Sequence, residues 1–296
     1  MHRSGFVNII GNPNVGKSTL MNAMVGEKLS IVTAKAQTTR HRIMGIINGG
    51  SGGDEWQIVF SDTPGILKPN YRLQQNMMNF VDGAIGDADI ILYVTDTVEK
   101  ADKNAEYIDK LKHVECPVIV VVNKIDISDQ EKVLGLMQYW KDCLPEAQII
   151  PASAMEKFNL DNILDAVVSK LPECPPWYDK DAFTDRNLRF FASEIIREQI
   201  LLNYKEEIPY CCEVGIEQFK EGKERYDISA VIYVMRDSQK GIIIGKGGSA
   251  LKKTGTAARI GMEDFFQKKV FLQIYVKVDP DWREDRKELR KFGYEE

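Results

Sequence analysis

Two stretches of this chain pair glycine with lysine in ways that can hold phosphate. The first, Gly11-Asn12-Pro13-Asn14-Val15-Gly16-Lys17-Ser18-Thr19, fits G-x-x-x-x-G-K-[ST]. In that pattern backbone N–H groups cradle the β- and γ-phosphates, the lysine neutralises them, and the hydroxyl of Ser18 binds Mg²⁺. The second, Gly245-Lys246-Gly247-Gly248, sets its lysine ahead of two glycines with no Ser or Thr directly after it. A magnesium ligand is therefore missing there, and the stretch fits the G-x-x-G loop that clamps single-stranded nucleic-acid backbone.

Three further stretches follow the first loop in an order that narrows the ligand. Asp62-Thr63-Pro64-Gly65-Ile66 ends an apolar run, so Asp62 can hold Mg²⁺ through water and the Gly65 N–H can meet a γ-phosphate. Asn123-Lys124-Ile125-Asp126 ends another, where Asp126 can accept both N1–H and N2–H of guanine, Lys124 can lie along the base and Asn123 can brace the loop. Ser153-Ala154 can bring a backbone N–H to guanine O6, where an adenine amino group would clash. GTP, not ATP, is the expected nucleotide.

Residues 36–42, AQTTRHR, lie between the phosphate loop and Asp62, where a threonine can complete the Mg²⁺ shell while the γ-phosphate is present. Thr39 is preferred over Thr38 for that ligand. Lys17, Asn14, Thr39 and Gly65 are thus the candidate catalytic residues, with Ser18, Thr39 and Asp62 as the metal set. The glutamine that orients water in Ras-like proteins is replaced by Ile66, which has no carboxamide. Asn14 has two readings: it helps K⁺ sit beside the phosphates, or it stiffens the loop.

The elements that must position these residues are legible as patterns. Short β-branched runs at 6–10, 42–47, 56–61, 90–95, 118–122 and 148–151 alternate with amphipathic segments such as 159–171, as in a mostly parallel, helix-covered sheet. The glycine-rich stretch 48–54 reads as a hairpin loop, and the proline-rich stretch after Leu171 as a domain linker. Beyond it the expected order is helix (187–204), strand (211–219), strand (226–235), short helix, GKGG, helix and strand (270–278). The tail WREDRKELRKFG alternates sign and reads as a solvated terminal helix.

Composition sets bounds on these readings. The 296 residues, 44% hydrophobic and 28% charged, suit two globular domains, and no apolar run reaches the roughly 18 residues that span a bilayer. The expected place is the cytoplasm. Five cysteines without zinc spacing read as packed thiols, and Cys211 and Cys212 would point to opposite faces of a strand. Net charge is −5, yet between Lys240 and Lys291 thirteen Lys or Arg outnumber seven Asp or Glu. A polyanion would dock there, on Lys240, Gly241, Ile244, Gly245, Lys246, Gly247, Gly248, Lys252 and Lys253, with Arg259 adding charge. Residues 242–244 and 231–234 are read either as a floor for bases or as core.

GNPNVGKSTLMNAMVG, AQTTRHRIMGI, SDTPGI, VVNKID, PASA, GIIIGKGG and DPDWREDRKELRKFGY together make the chain resemble the Era family of GTPases over nearly its whole length. The resemblance implies an α/β fold: a Ras-like P-loop GTPase domain with a mixed, mostly parallel sheet (1–172), a linker (173–185), and a small α+β type II KH domain with a C-terminal helix (186–296). It implies GTP hydrolysis with Mg²⁺, binding of the 3′ region of 16S rRNA, and a role in maturing the 30S subunit, as a monomer. Family members are also described as associating peripherally with the inner membrane.

Overall fold

The computed structural model describes residues 2–100 and 103–295. The chain divides into two compact units, one made of residues up to Pro69 and Met77–Asp185, the other of Asn70–Asn76 and the residues from Arg186 onward.

Up to Asp185 the elements run β1 (His2–Gly11), α1 (Lys17–Val25), β2 (Ile43–Ser51), β3 (Asp54–Asp62), α2 (Arg72–Gly86, its residues up to Asn76 belonging to the second unit), β4 (Ile90–Asp96), α3 (Ala105–Lys112), β5 (Val118–Asn123), α4 (Gln130–Cys143), β6 (Gln148–Pro151) and α5 (Leu160–Lys170). The sheet order is β2-β3-β1-β4-β5-β6, and only β2 runs antiparallel to its neighbour. Continuous apolar runs in β4 and β5 are buried on both faces, as parallel strands covered by helices must be. Register then decides where chemistry collects. Ile9 pairs with Asp62, Gly11 with Val94 and Asp96 with Asn123, so the C-terminal strand ends bring four polar or glycine termini to one edge.

Residues 48–54 are not a loop, as the composition suggested. Strand pairing continues to Ser51 opposite Asp54, leaving only Gly52 and Gly53 as the turn, with φ of +68° and +93°. Two consecutive left-handed residues match the twist of a tight hairpin, which is why glycine is needed there. Gly49 is needed for another reason: the Trp56 indole lies where a Cβ would be.

The expected linker packs against the first unit. Ser4 N–H donates to the Pro172 carbonyl and Ile46 N–H to that of Phe183, while Gln57 receives the N–H groups of Trp177 and Tyr178 on its side-chain oxygen. The Trp177 ring sits 5.2 Å from that of Phe6. This segment covers the free edge of β2, which would otherwise offer unpaired backbone groups to another chain.

The second unit contains α6 (Leu188–Asn203), β7 (Cys212–Glu221), β8 (Arg225–Val234), α7 (Asp237–Ile244), α8 (Ser249–Phe266), β9 (Lys269–Val278) and α9 (Arg286–Lys291). Its sheet, β7-β8-β9, is antiparallel then parallel. Ile228, Ala230, Ile232 and Val234 of β8 pack with Ala192, Ile196 and Ile200 of α6 and Ala258 and Met262 of α8 in one core. Cys211 precedes the strand, so it and Cys212 do not alternate; both are buried in this core.

The tail departs most from expectation. Only 286–291 is helical, and Trp282, Leu289 and Tyr294 are buried. Trp282 Nε1 donates to the Cys211 carbonyl at 3.2 Å and Tyr294 Oη to Glu213 Oε2 at 2.7 Å, so this is packed structure and not a solvated helix. Alternating charges masked four apolar anchors, the fourth being Phe292, whose ring lies 5.1 Å from that of Tyr233. The tail also holds the short segment 70–76 of the same unit: Glu295 binds Arg72 at 2.8 Å and Asn76 at 3.2 Å.

Candidate nucleotide site and candidate nucleic-acid loop

Gly11 ends β1 and Lys17 opens α1, so the loop between them aims the N-terminus of a helix into a pocket. Pro13, Asn14, Gly16, Lys17, Ser18, Thr19, Thr39, Gly65 and Lys124 line it together. Gly16 has φ +98° and a side chain there would strike Asn123; a Cβ on Gly65 would come within 2.7 Å of Pro13. Both glycines are required by close approach, and the Gly65 segment lies directly on the phosphate loop. Thr63 Oγ1 fixes it by donating to the Ile9 carbonyl at 2.7 Å, and Ile66 N–H donates to that of Gly11 at 3.1 Å.

The metal candidates come together. Ser18 Oγ donates to Asp62 Oδ2 at 2.6 Å, Thr39 Oγ1 donates to the same oxygen at 3.3 Å, and the two hydroxyls are 2.8 Å apart. Thr38 turns elsewhere, its hydroxyl bonding to Thr33 Oγ1 and the Lys35 carbonyl. Asp62 is fully buried, and its other oxygen, Oδ1, has no hydrogen-bond partner. An orphaned buried carboxylate oxygen beside two converging hydroxyls fits a hard, oxygen-seeking divalent cation such as Mg²⁺. Burial raises the Asp62 pKa against the bonds from Ser18 and the charge of Lys17. Among the described residues no cluster of three His, Cys, Asp or Glu offers another metal site.

Lys17 Nζ donates to the carbonyls of Gly11 and Asn12 at 3.0 and 2.7 Å, and burial lowers its pKa to about 8 despite the nearby carboxylates of Asp62 and Glu99. A cation desolvated to this degree is poised for a phosphate. Ile66 is 3% exposed, so the position of the missing glutamine is part of the core. Asn14 adopts φ +67°, which asparagine tolerates better than most residues, and its amide donates to the Ala34 carbonyl at 3.2 Å.

At the base end, Asn123 Nδ2 donates to the Val15 carbonyl at 2.8 Å and its Oδ1 accepts the Ala154 N–H at 2.9 Å. The Ala154 N–H, one of those in the stretch expected to meet guanine O6, is thus held by Asn123 in this structure. Lys124 Nζ donates to the Asn14 carbonyl at 2.5 Å, joining base loop to phosphate loop, while Asp126 is exposed in the turn 125–127.

In the second unit α7 ends at Ile244 and α8 begins at Ser249, with Gly245, Gly247 and Gly248 at φ +72°, +60° and +78°. The loop is short and all three glycines occupy left-handed backbone that other residues resist. Lys246, Lys252 and Lys253 are exposed and Lys240 is half-buried. Only α8 offers its N-terminus to the loop, because α7 enters it with its C-terminal end. Of the isoleucines, Ile243 is in the core and Ile242 is 50% exposed, while Ile232 and Val234 face inward. Arg259 is paired with Glu263 at 2.9 Å.

Known families match both parts of the chain. Residues 6–124 match the family described as 50S ribosome-binding GTPase and residues 207–283 the KH domain. GTPase ERA1 (chloroplastic) of Zea mays is 43% identical over 298 residues, covering 99% of this chain and 71% of that protein. The chain belongs to the Era family of GTPases. A point variant of Aquifex aeolicus Era bound to GDP·AlF4⁻ superposes with a TM-score of 0.93 at 39% identity, covering 99% of this chain and 100% of that one. Era in complex with MgGDPNP and nucleotides 1506–1542 of 16S ribosomal RNA superposes with 0.93 at 38%, covering 100% of both.

Two carboxylates of this Era-family site escaped the motif reading. Asp96 Oδ2 accepts from Lys124 Nζ at 2.6 Å while its Oδ1 accepts the N–H groups of Val98 and Glu99, each at 2.8 Å. Glu99 accepts from Asn12 Nδ2 at 2.6 Å and from Thr95 Oγ1 at 3.0 Å, and burial raises its pKa. The available signal was position: an acid at the C-terminal end of a parallel strand beside the phosphate-loop strand.

Proposed function

We propose that this Era-family chain binds GTP with Mg²⁺, hydrolyses it to GDP and phosphate, and binds the 3′ region of 16S rRNA through Gly245–Gly248 during 16S processing and 30S assembly. The observation that carries the reading is the convergence of Ser18, Thr39 and Asp62, with an orphaned carboxylate oxygen, on the pocket into which Lys17 opens. Solved Era complexes with MgGDPNP, GDP·AlF4⁻ and a 16S fragment support it by likeness.

The chain's own residues bind and orient. Loop N–H groups and Lys17 hold the β- and γ-phosphates, Gly65 N–H meets the γ-phosphate, and Asp126 and Lys124 select and clasp guanine. Ser18, Thr39 and water on Asp62 would hold Mg²⁺, whose charge would offset that developing on the phosphates. With Ile66 buried, no side chain from that position reaches the attacking water. Asn14 then serves to seat K⁺ beside the phosphates; equal turnover in potassium and sodium buffers would overturn this.

The proposed place of action is the cytoplasm, as a monomer on 30S subunits. Peripheral membrane contact follows from the family resemblance alone; among the described residues no helix is long and apolar enough to cross a bilayer. A second reading, an RNA-binding assembly factor with structural GTP, is kept because Ile66 replaces the water-orienting residue. Single-turnover hydrolysis with and without a 16S 3′ oligonucleotide separates the two. Acceleration by RNA and a GTP/GDP difference in RNA affinity support hydrolysis as a switch that controls RNA binding; the absence of both supports the structural role.

A further inference from the structure

Of the phosphate-loop residues, Asn12 alone puts a buried polar side chain outside the nucleotide pocket. It is 1% exposed and does not line that pocket, so its carboxamide is turned into the protein, while its own carbonyl accepts Lys17 Nζ at 2.7 Å. The next residue, Pro13, confines the Asn12 backbone to extended conformations, so a held Asn12 side chain leaves this part of the loop little freedom. Pro13 is also the residue that the Gly65 segment lies against. Whatever fixes Asn12 therefore sets the height of Lys17 and the seat of Gly65 together.

Both ends of that carboxamide are held. Nδ2 donates to Glu99 Oε2 at 2.6 Å, and Oδ1 accepts from Asn104 Nδ2. A carboxylate only accepts, so the two partners fix which way the amide points. Asn104 occupies the N-cap position of α3 and makes no capping bond there, although asparagine is among the best caps; its amide goes to Asn12 instead. Glu99 is placed in turn by Thr95 Oγ1, which donates to Oε1 at 3.0 Å, and by Asp96 Oδ1, which accepts the Val98 and Glu99 N–H groups. The other oxygen of Asp96 holds Lys124, whose ammonium donates to the Asn14 carbonyl. The turn after β4 thus grips the phosphate loop on both sides of Pro13.

We propose that Glu99 and Asn104 are positioning residues of the phosphate end of the site, acting through the Asn12 carboxamide to preset the loop backbone that meets the β-phosphate. Neither residue touches the nucleotide. Their contribution is preorganisation: loop N–H groups reward a phosphate only when they are held within about 0.5 Å of the productive geometry, and Asn12 is the side chain through which the rest of the sheet edge can hold them. Division of labour follows from the network, with Asp96 and Lys124 serving the base end and Glu99, Asn104 and Asn12 the phosphate end. The proposal rests on the GTP-binding reading above and adds to it the residues that shape the phosphate cradle from behind.

The test uses the full chain and competition titrations with GTP, GDP and GMP, the last of which carries no β-phosphate. Glu99→Ala should weaken GTP and GDP by about tenfold, as expected for losing one charge-assisted hydrogen bond, and leave GMP within about twofold, which also reports that the variant is folded. Glu99→Gln keeps an acceptor oxygen for Asn12 and should return GTP and GDP to within about threefold of the parent. Adding Glu99→Ala to Asn12→Ala should cost nothing beyond Asn12→Ala alone, because the two act as one unit. Three results overturn the proposal: a GMP loss equal to that of GDP, a Glu99→Gln variant as weak as Glu99→Ala, which would make Glu99 a charge acting on Lys17, or additive losses in the double variant. If the parent chain binds none of the three nucleotides, the GTP-binding reading itself falls.

Discussion

The two glycine-lysine loops use the same residue types in opposite physical settings. Around Lys17 the key polar groups are largely buried and already engaged: the ammonium on two carbonyls, Ser18 and Thr39 on Asp62, Asn123 on both Val15 and Ala154, with Asp62 Oδ1 left over. Around Lys246 the lysines are exposed and the glycines supply only left-handed backbone. The first site is built in advance for a compact, highly charged ligand, whose binding replaces contacts that the protein holds for itself. The second waits for a ligand whose phosphates arrive from solvent. Buried networks are unforgiving of single changes, whereas exposed clamps fail by charge reversal.

That contrast can be broken in four ways. Lys17→Ala should lower GTP affinity by roughly a hundredfold or more, about 3 kcal/mol for a charge-assisted contact in a desolvated site, and leave RNA affinity measured without nucleotide unchanged; fluorescent-nucleotide titration and nucleotide-free RNA gel shifts read the two. The reciprocal change, Lys246→Asp with Gly247→Asp, should abolish binding of the 16S 3′ oligonucleotide and leave GTP affinity intact. Should either variant disturb both ligands, the sites are not independent.

Asp96→Asn sharpens the comparison within the first site. Loss of the ion pair with Lys124, which is itself 31% exposed, should weaken GDP and GTP alike by about tenfold. A loss confined to GTP would place Asp96 at the phosphates and not at the base. The smallest effect concerns the tail. Hydrogen bonds from Arg72 and Asn76 hold the Glu295 pKa down to about 2 from its ordinary 4.5. A depressed carboxylate stabilises above its unfolded pKa, so the hold on 70–76 is complete above about pH 4.5 and is lost as pH falls toward 2. Glu295→Gln should remove that pH dependence from hydrogen-exchange protection of the tail.

The nucleotide site was unusually legible because its chemistry is carried by contiguous motifs. GNPNVGKS, DTPG and NKID each hold several functional residues at fixed spacing, so finding the motif locates the residue. Thr39 and Thr38 show the limit: adjacent and chemically identical in sequence, they separate only when folding points one hydroxyl at Asp62 and the other at Thr33. Asp96 and Glu99 belong to no motif, and only strand register brings them to Lys124 and Asn12.

The same distinction holds for the second unit. The GKGG loop was readable because positive-φ positions select glycine locally, whatever surrounds them. The tail was misread because burial is decided by partners distant in sequence: Trp282 finds the Cys211 carbonyl and Tyr294 finds Glu213, and no local charge pattern reports them. By itself, then, the sequence determined the ligand class, the phosphate loops and the order of elements, all set by short-range backbone and side-chain chemistry. Only the tertiary structure decided which hydroxyl joins the metal cluster and which acids brace the site, because each depends on packing between segments far apart in the chain.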